Sequence, residues 1–158
     1  MRKAALLFTL TLIAFSRPAI AEAQLVDTRA ISLDGAKAVI AAAEAEAQQN
    51  SWAMAIAVVD AGGQLIALHR LDGTQTASIQ IAIDKARTAA AFRRPTEALQ
   101  QAVAGGMGGV LNVEGAMPIQ GGIPVMLDGV AIGAVGVSGG SSVQDAQVAQ
   151  AGLEALQM

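Results

Sequence analysis

The spacing of hydrophobic residues changes several times along the chain, and each change predicts a new element. Apolar residues recur every three or four positions over residues 33–49, which is typical of one face of a helix. Ser32 is the expected N-cap of this helix. Residues 52–59 are almost all apolar or small, as in a strand that is covered on both faces. The turn at residues 60–63 and the extended run 64–71 then complete a hairpin.

The second half of the chain alternates helical and extended patterns in the same way. Its predicted elements are a helix capped by Thr76 or Ser78 and ending before Pro95, a short helix over residues 96–104 capped by Thr96, a permissive glycine loop at 105–109, a hairpin over 123–137 that turns at Asp128-Gly129, and a helix from Ser142 onward. Together the elements predict an α/β sandwich of the α+β kind. Its antiparallel sheet of five strands would carry helices on both faces.

The first twenty residues have the pattern of a targeting segment. Arg2 and Lys3 form a basic start, and the apolar run 4–15 is too short to span a bilayer as a mature helix. The small residues Ala19 and Ala21, separated by one residue, predict cleavage after Ala21, so residues 1–21 are interpreted as a signal peptide; a cut after Ala23 is the alternative. Residues 22–158 would then form one domain, periplasmic or secreted, without a membrane span.

Charge and composition exclude several classes of function. The formal charge of the whole chain is −3, and removal of residues 1–21 leaves seven basic and thirteen acidic residues, a formal charge of −6. Residues 22–158 are acidic and keep only two aromatic residues, Trp52 and Phe92, so they are not suited to binding nucleic acid. The absence of cysteine and the presence of one histidine exclude a disulfide framework and argue against a Cys/His zinc site.

The stretch Gly136-Val137-Ser138-Gly139-Gly140 fits the pattern of a hydrolase nucleophile elbow. An elbow serine needs a histidine base later in the chain, and no histidine follows Ser138. A strand-to-helix turn at Gly139 explains more of the residues, with Ser142 as helix cap and Asp145 three positions later. A third interpretation stays open, in which free amides at this turn hold a carboxylate or another anion.

A few other residues are candidates for ligand binding. His69 is the only strong nitrogen ligand that haem iron or another metal would find in the chain. Arg70 either closes the strand end through a salt bridge with Asp72 or pairs with a ligand carboxylate. Lys85 and Thr88 lie in a basic stretch with three arginines, Arg87, Arg93 and Arg94, which is either a solvated helix face or an anion site.

Six short motifs resemble, in order along nearly the whole mature chain, those of the GlcG/HbpS-like family of haem-binding proteins, formerly a domain of unknown function. They are Val58-Val59-Asp60-Ala61-Gly62-Gly63, Arg70-Leu71-Asp72-Gly73, Lys85-Ala86-Arg87-Thr88-Ala89, Gly121-Gly122-Ile123-Pro124, Gly133-Ala134-Val135-Gly136-Val137-Ser138-Gly139 and Gln144-Asp145. The resemblance implies a profilin-like α/β/α sandwich around a five-stranded antiparallel sheet. It also implies a homo-oligomer and, for some members, haem binding with a role in extracellular redox sensing.

The resemblance transfers a ligand-binding neighbourhood rather than a defined set of contacts. That neighbourhood comprises Arg70, Lys85, Thr88, Gly122, Ser138 and Gly139. His69 as a haem-iron ligand is an inference from its chemistry and not from the family motif. The leading hypothesis is an exported, non-enzymatic protein that binds haem or a small anionic ligand. The alternative is a small enzyme acting on a carboxylate-bearing metabolite, with Lys85 or Asp60 as the acid/base group.

Overall fold

A computed structural model describes residues 28–156, so the predicted signal peptide lies outside the described residues. Helices and strands follow one another in the predicted order. They are α1 (Leu33–Gln49), β1 (Ala55–Asp60), β2 (Leu65–Arg70), α2 (Ala77–Phe92), α3 (Thr96–Ala104), a 3-10 helix (Gly108–Asn112), β3 (Gly122–Leu127), β4 (Val130–Ser138) and α4 (Ser142–Glu154). Within this part of the chain no helix is long and apolar enough to cross a membrane.

The sheet is antiparallel, with the strand order β2-β1-β4-β3. The expectation of five strands is wrong for residues 28–156, which form four. The two predicted hairpins supply all four strands. The glycine-rich stretch between α3 and β3 adds none, because it forms turns and a 3-10 helix with no buried residue. The class is nevertheless as predicted, an α+β fold with an antiparallel sheet.

The central strand β1 is covered on both faces, as its continuous apolar pattern predicted. Ile56 and Val58 lie in the main core with buried residues of α1 and α4. Ala55 and Ala57 face the other way and contact Ala82 of α2. The helices therefore form two layers around the sheet, with α1 and α4 on one face and α2 on the other.

The layer formed by α2 lies unusually close to the sheet. A Cβ atom at Gly136 of β4 would overlap the carbonyl oxygen of Ala82 and come within 2.5 Å of the amide nitrogen of Ala86. Only glycine allows this approach, since any side chain at position 136 would push the helix outward. The close approach brings the side chain of Lys85, on α2, to the end of β4.

Candidate ligand-binding site

Lys85 is buried at the junction of α2, β4 and α4. Its Nζ donates hydrogen bonds to Oδ2 of Asp145 at 2.7 Å and to the carbonyl oxygen of Val137 at 3.0 Å. The two charged side chains are only 1% and 4% exposed. This Lys85–Asp145 centre joins a helix on one face of the sheet to a helix on the other.

The start of α4 differs from the prediction in a way that explains the role of Asp145. Ser141, not Ser142, is the N-cap, and its partner in a capping box is Gln144. Asp145 is therefore not needed as a cap, and its Oδ1 accepts a hydrogen bond from the amide of Gly140 at 3.0 Å. The turn does hold a carboxylate, as one interpretation of the sequence suggested, but that carboxylate belongs to the protein itself.

Burial raises the pKa of the Asp145 carboxyl above its usual value. Removal from water disfavours the charged form, and this effect exceeds the opposing effects of Lys85 and of the amides of Gly139 and Gly140. Hydrogen bonds hold the Lys85–Asp145 centre together, and the removal of its two charged groups from water costs free energy.

Glycines close the Lys85–Asp145 centre on its outer side. Gly121 has a φ of +125°, and a Cβ atom there would lie 2.8 Å from Lys85 Nζ. The amide of Gly122 donates to Thr96 Oγ1 at 2.9 Å, and a Cβ at Gly122 would overlap the carbonyl oxygen of Lys85. Thr96 thus tethers the β3 segment instead of capping α3, whose N-cap is Pro95.

Ser138 does not lie beside a histidine. It is 5% exposed, and a hydrogen bond of 3.3 Å joins its Oγ to that of Ser78 on α2. In the sheet register Ser138 pairs with Ala55, whereas His69 pairs with the next residue, Ile56, so the two side chains leave opposite faces of the sheet. Residues 28–156 therefore do not assemble a serine nucleophile with a histidine base.

Gly139 has a φ of +154°, and a Cβ atom at this position would overlap the carbonyl oxygen of Ala53. The residue thus lets β4 turn against the segment that precedes β1. The other proposed acid/base group, Asp60, accepts hydrogen bonds at 2.8 Å from the amides of Gly62 and Gln64. Both candidate acid/base groups, Asp60 and Lys85, are therefore engaged in internal contacts.

Thr88 lines a groove of about 520 Å³ on the α2 side of the molecule. We call it the Thr88 groove; its walls are the β1–β2 turn (residues 61–64), the end of α2 and the loop 113–116. The Thr88 hydroxyl donates to the carbonyl oxygen of Asp84 at 2.7 Å and accepts from the amide of Met117 at 2.8 Å. Thr88 thereby fixes the loop that forms one wall.

Apolar and basic side chains meet in the Thr88 groove. Phe92 and Val113 contribute apolar surface. Arg87 Nε donates a hydrogen bond to the carbonyl oxygen of Gly63 at 3.1 Å, and one of its terminal nitrogens lies 3.7 Å from Oδ1 of Asp84, while the side chain stays 46% exposed. Since Lys85 is buried, the exposed part of the predicted basic cluster consists of the three arginines at 87, 93 and 94.

His69 and Arg70 lie away from this groove. His69 is exposed, and its Nδ1 is 3.2 Å from Oε2 of Glu44 on α1. Arg70 lines a second cavity, of about 490 Å³, between the ends of α1 and β2. The expected salt bridge between Arg70 and Asp72 is not among those formed by residues 28–156.

The predicted neighbourhood is therefore divided among three places. Lys85, Gly122, Ser138 and Gly139 surround the end of β4, Thr88 lies one helical turn along α2, and Arg70 lies at the end of β2. Sequence reasoning missed the partner of Lys85, although the motif Gln144-Asp145 was noticed. One sequence feature could have revealed this partner. Lys85 lies in an alanine-rich helix, and if such a helix packs on a sheet, a lysine on its buried face needs an acidic partner.

Comparisons with known proteins agree with this architecture. The family described as haem degrading protein HbpS-like matches residues 31–154. Protein GlcG of Escherichia coli K12 is 44% identical over 108 residues, which cover 68% of this chain and 81% of that protein.

Two solved structures have the same fold over most of the chain. The crystal structure of HbpS superposes with a TM-score of 0.81 at 29% identity and covers 86% of this chain and 96% of its own. The crystal structure of a PduOC–haem complex superposes with a TM-score of 0.74 at 30% identity, covering 81% and 96%.

Proposed function

The chain belongs to the HbpS-like family, and we propose that it binds haem in the Thr88 groove. The similar PduOC chain, described in complex with haem, supports the ligand. The location is supported by the lining of this cavity of about 520 Å³, in which the apolar side chains of Phe92 and Val113 lie together with the exposed Arg87. A mostly apolar cleft of a few hundred Å³ with a few polar groups is typical of cofactor sites.

The chemistry of the groove matches the two halves of a haem molecule. The porphyrin ring is flat and apolar, and the side chains of Phe92, Val113 and Ala91 offer it apolar surface. The propionate groups are carboxylates, which guanidinium groups bind in fork geometry. Arg87 lines the groove, and Arg93 and Arg94 follow at the exposed end of α2.

The prediction that His69 ligates the iron conflicts with this placement, because His69 lies on the face of the sheet that α1 covers. For a haem in the Thr88 groove, the lining side chains that could reach the iron with a donor atom are Gln64, Thr88 and Glu114, each through an oxygen. We therefore expect the Soret band of the complex to be unchanged in His69→Ala. A shifted band in that variant would instead support the prediction for His69.

A haem titration followed by absorbance tests the proposed site. Val113→Glu places a carboxylate in the groove, near the expected propionates, at a position that is 46% exposed and so tolerates a polar side chain. The matched control is Val143→Glu on α4, 65% exposed and outside the groove. We expect saturable binding that Val113→Glu weakens at least about tenfold and Val143→Glu does not. Equal affinities of the two variants would contradict the groove as the site.

We propose further that the protein is exported and handles haem, or senses redox state through it, outside the cytoplasm. The basic start and the apolar run of residues 4–15 support export. Mass spectrometry of the protein recovered from the periplasm or medium would identify the first residue, expected to be Glu22, or Gln24 for the alternative cut. An intact N-terminus would contradict export by this route.

Light scattering during the haem titration would test the expected homo-oligomer. The alternative function, catalysis on a carboxylate-bearing metabolite, has no supporting observation in the geometry, because Lys85 and Asp60 are held by internal hydrogen bonds.

A further inference from the structure

We infer that the second cavity, between the ends of α1 and β2, binds a small zwitterion that carries a carboxylate, an ammonium group and an apolar part, such as an α-amino acid. We call this cavity the Trp52 cleft. Charges of both signs and the chain's single indole meet in it: Arg70, Asp72, Glu44 and Trp52 all line its walls. A zwitterion with an apolar part has one group for each kind of lining side chain: the basic, the acidic and the aromatic.

The charged side chains that line the Trp52 cleft do not form salt bridges with one another. Arg70 and Asp72 are two residues apart and line one cavity of about 490 Å³, but neither takes part in a salt bridge within residues 28–156. Arg70 can therefore receive a ligand carboxylate in a bidentate pair, and Asp72 can receive an ammonium group; Glu44, whose Oε2 lies 3.2 Å from Nδ1 of His69, adds negative charge beside it. An anion alone would leave the carboxylate of Asp72 unpaired beside it, and a cation alone would face Arg70.

The indole of Trp52 supplies the apolar wall. Trp52 is partly buried and packs against the main core, which leaves the rest of its ring in the cleft. An indole face attracts both aliphatic groups and nearby cations. This combination favours a zwitterion with an aliphatic side chain over one without.

The backbone holds the cleft in shape without a ligand. Ser51 adopts a φ of +59° and reverses the chain after α1, and the amide of Trp52 donates to the carbonyl oxygen of Ala47 at 2.9 Å. On the opposite wall, the amide of Leu71 donates to the carbonyl oxygen of Met54 at 3.0 Å. A site whose walls are already fixed loses less conformational freedom when a ligand binds.

Trp52 also makes the cleft easy to observe, because it is the only tryptophan of the chain. We would follow its fluorescence in the haem-free protein while adding L-leucine. Two analogues serve as matched probes: 4-methylpentanoate lacks the ammonium group, and 3-methylbutylamine lacks the carboxylate. We expect a saturable change with leucine, and binding at least about tenfold weaker for each analogue.

Variants assign the effect to the cleft. Arg70→Gln should weaken leucine binding at least about tenfold, whereas the control Arg29→Gln, at an exposed arginine outside both cavities, should not. Absence of a saturable change up to about 10 mM leucine, equal binding of either analogue, or an unchanged affinity in Arg70→Gln would overturn the inference.

The inference stands apart from haem binding. The Trp52 cleft and the Thr88 groove share no lining residue. Val113→Glu should therefore leave the leucine response unchanged, so failure of one proposal can be told from failure of the other.

Discussion

Two pairs of ionisable side chains connect helices to other elements of residues 28–156, and they differ mainly in their contact with water. Lys85 and Asp145 are 2.7 Å apart and 1% and 4% exposed, whereas His69 and Glu44 are 3.2 Å apart and 55% and 31% exposed. A buried pair leaves an uncompensated charge in the interior when one partner is removed, while an exposed partner is simply solvated.

The comparison shows which charges can serve a ligand. Lys85 has no exposed surface to offer, and its hydrogen bonds go to Asp145 and Val137. Its position suggests a structural task, which is to join α2 and α4 across the end of β4. Arg87 and Arg70 remain accessible and line cavities. Ligand recognition is therefore expected at these exposed arginines and not at the buried lysine.

The largest effect is expected for Lys85→Met, which leaves Asp145 buried without its partner. The free energy of unfolding should fall by about 3–5 kcal/mol, measured by urea denaturation. The control Lys37→Met affects an exposed lysine 3.8 Å from Asp34 and should cost less than about 1 kcal/mol. If Lys85→Met fails to fold, the double variant Lys85→Met with Asp145→Leu should restore folding. Similar losses in both single variants would contradict the distinction.

A smaller effect is expected for Gly121→Ala, which crowds the same buried pair. The new Cβ would lie 2.8 Å from Lys85 Nζ, in a backbone conformation with φ of +125°. The cost should be about 1–3 kcal/mol from strain, with further loss from the displaced lysine. Gly129→Ala is the control, because its φ is +79° but no atom lies within 4 Å of the new Cβ. Equal losses would show that only backbone strain matters.

The pH dependence of stability should report the burial of Asp145. Its folded pKa is raised, so its contribution to stability is fully present below the unfolded pKa, about 4, and is lost as pH rises through the folded pKa. The stability of the wild type relative to Asp145→Asn should therefore fall as pH is raised from about 4. A rise with pH would contradict the direction of the shift.

The smallest effect is expected at the exposed pair. His69→Ala should change the free energy of unfolding by no more than about 1 kcal/mol, since both partners remain in contact with water. Added salt should reduce even this difference. A fall in the free energy of unfolding as large as that of Lys85→Met would show that the His69–Glu44 pair stabilises the fold more than its exposure suggests.

The order of helices and strands was predictable because it follows from local patterns. The change of apolar spacing between residues 33–49 and 52–59 marked α1 and β1, and Asp128-Gly129 marked the second hairpin. Ser32 accepts the predicted cap hydrogen bond, from the amide of Gly35 at 3.1 Å. Such signals depend on neighbours within a few positions and need no knowledge of the rest of the chain.

The candidate site was predictable only in part. The sequence indicated that Lys85, Thr88 and the turn at Gly139 belong together, and two of them do meet at the end of β4. It did not separate Thr88 and Arg70, because their distance depends on how α2 crosses the sheet. It also did not show that the turn is occupied by Asp145, since adjacent serines offer equally plausible caps.

The sequence by itself determined the identities and order of the elements, the two-sided burial of β1 and the family resemblance. Only the tertiary structure decided that residues 28–156 form four strands, that Lys85 is buried with a partner 60 residues away, and that His69 faces α1. These outcomes depend on strand register and helix packing. A shift of one residue in the register would exchange the faces of the sheet, and no local pattern in the chain specifies that register alone.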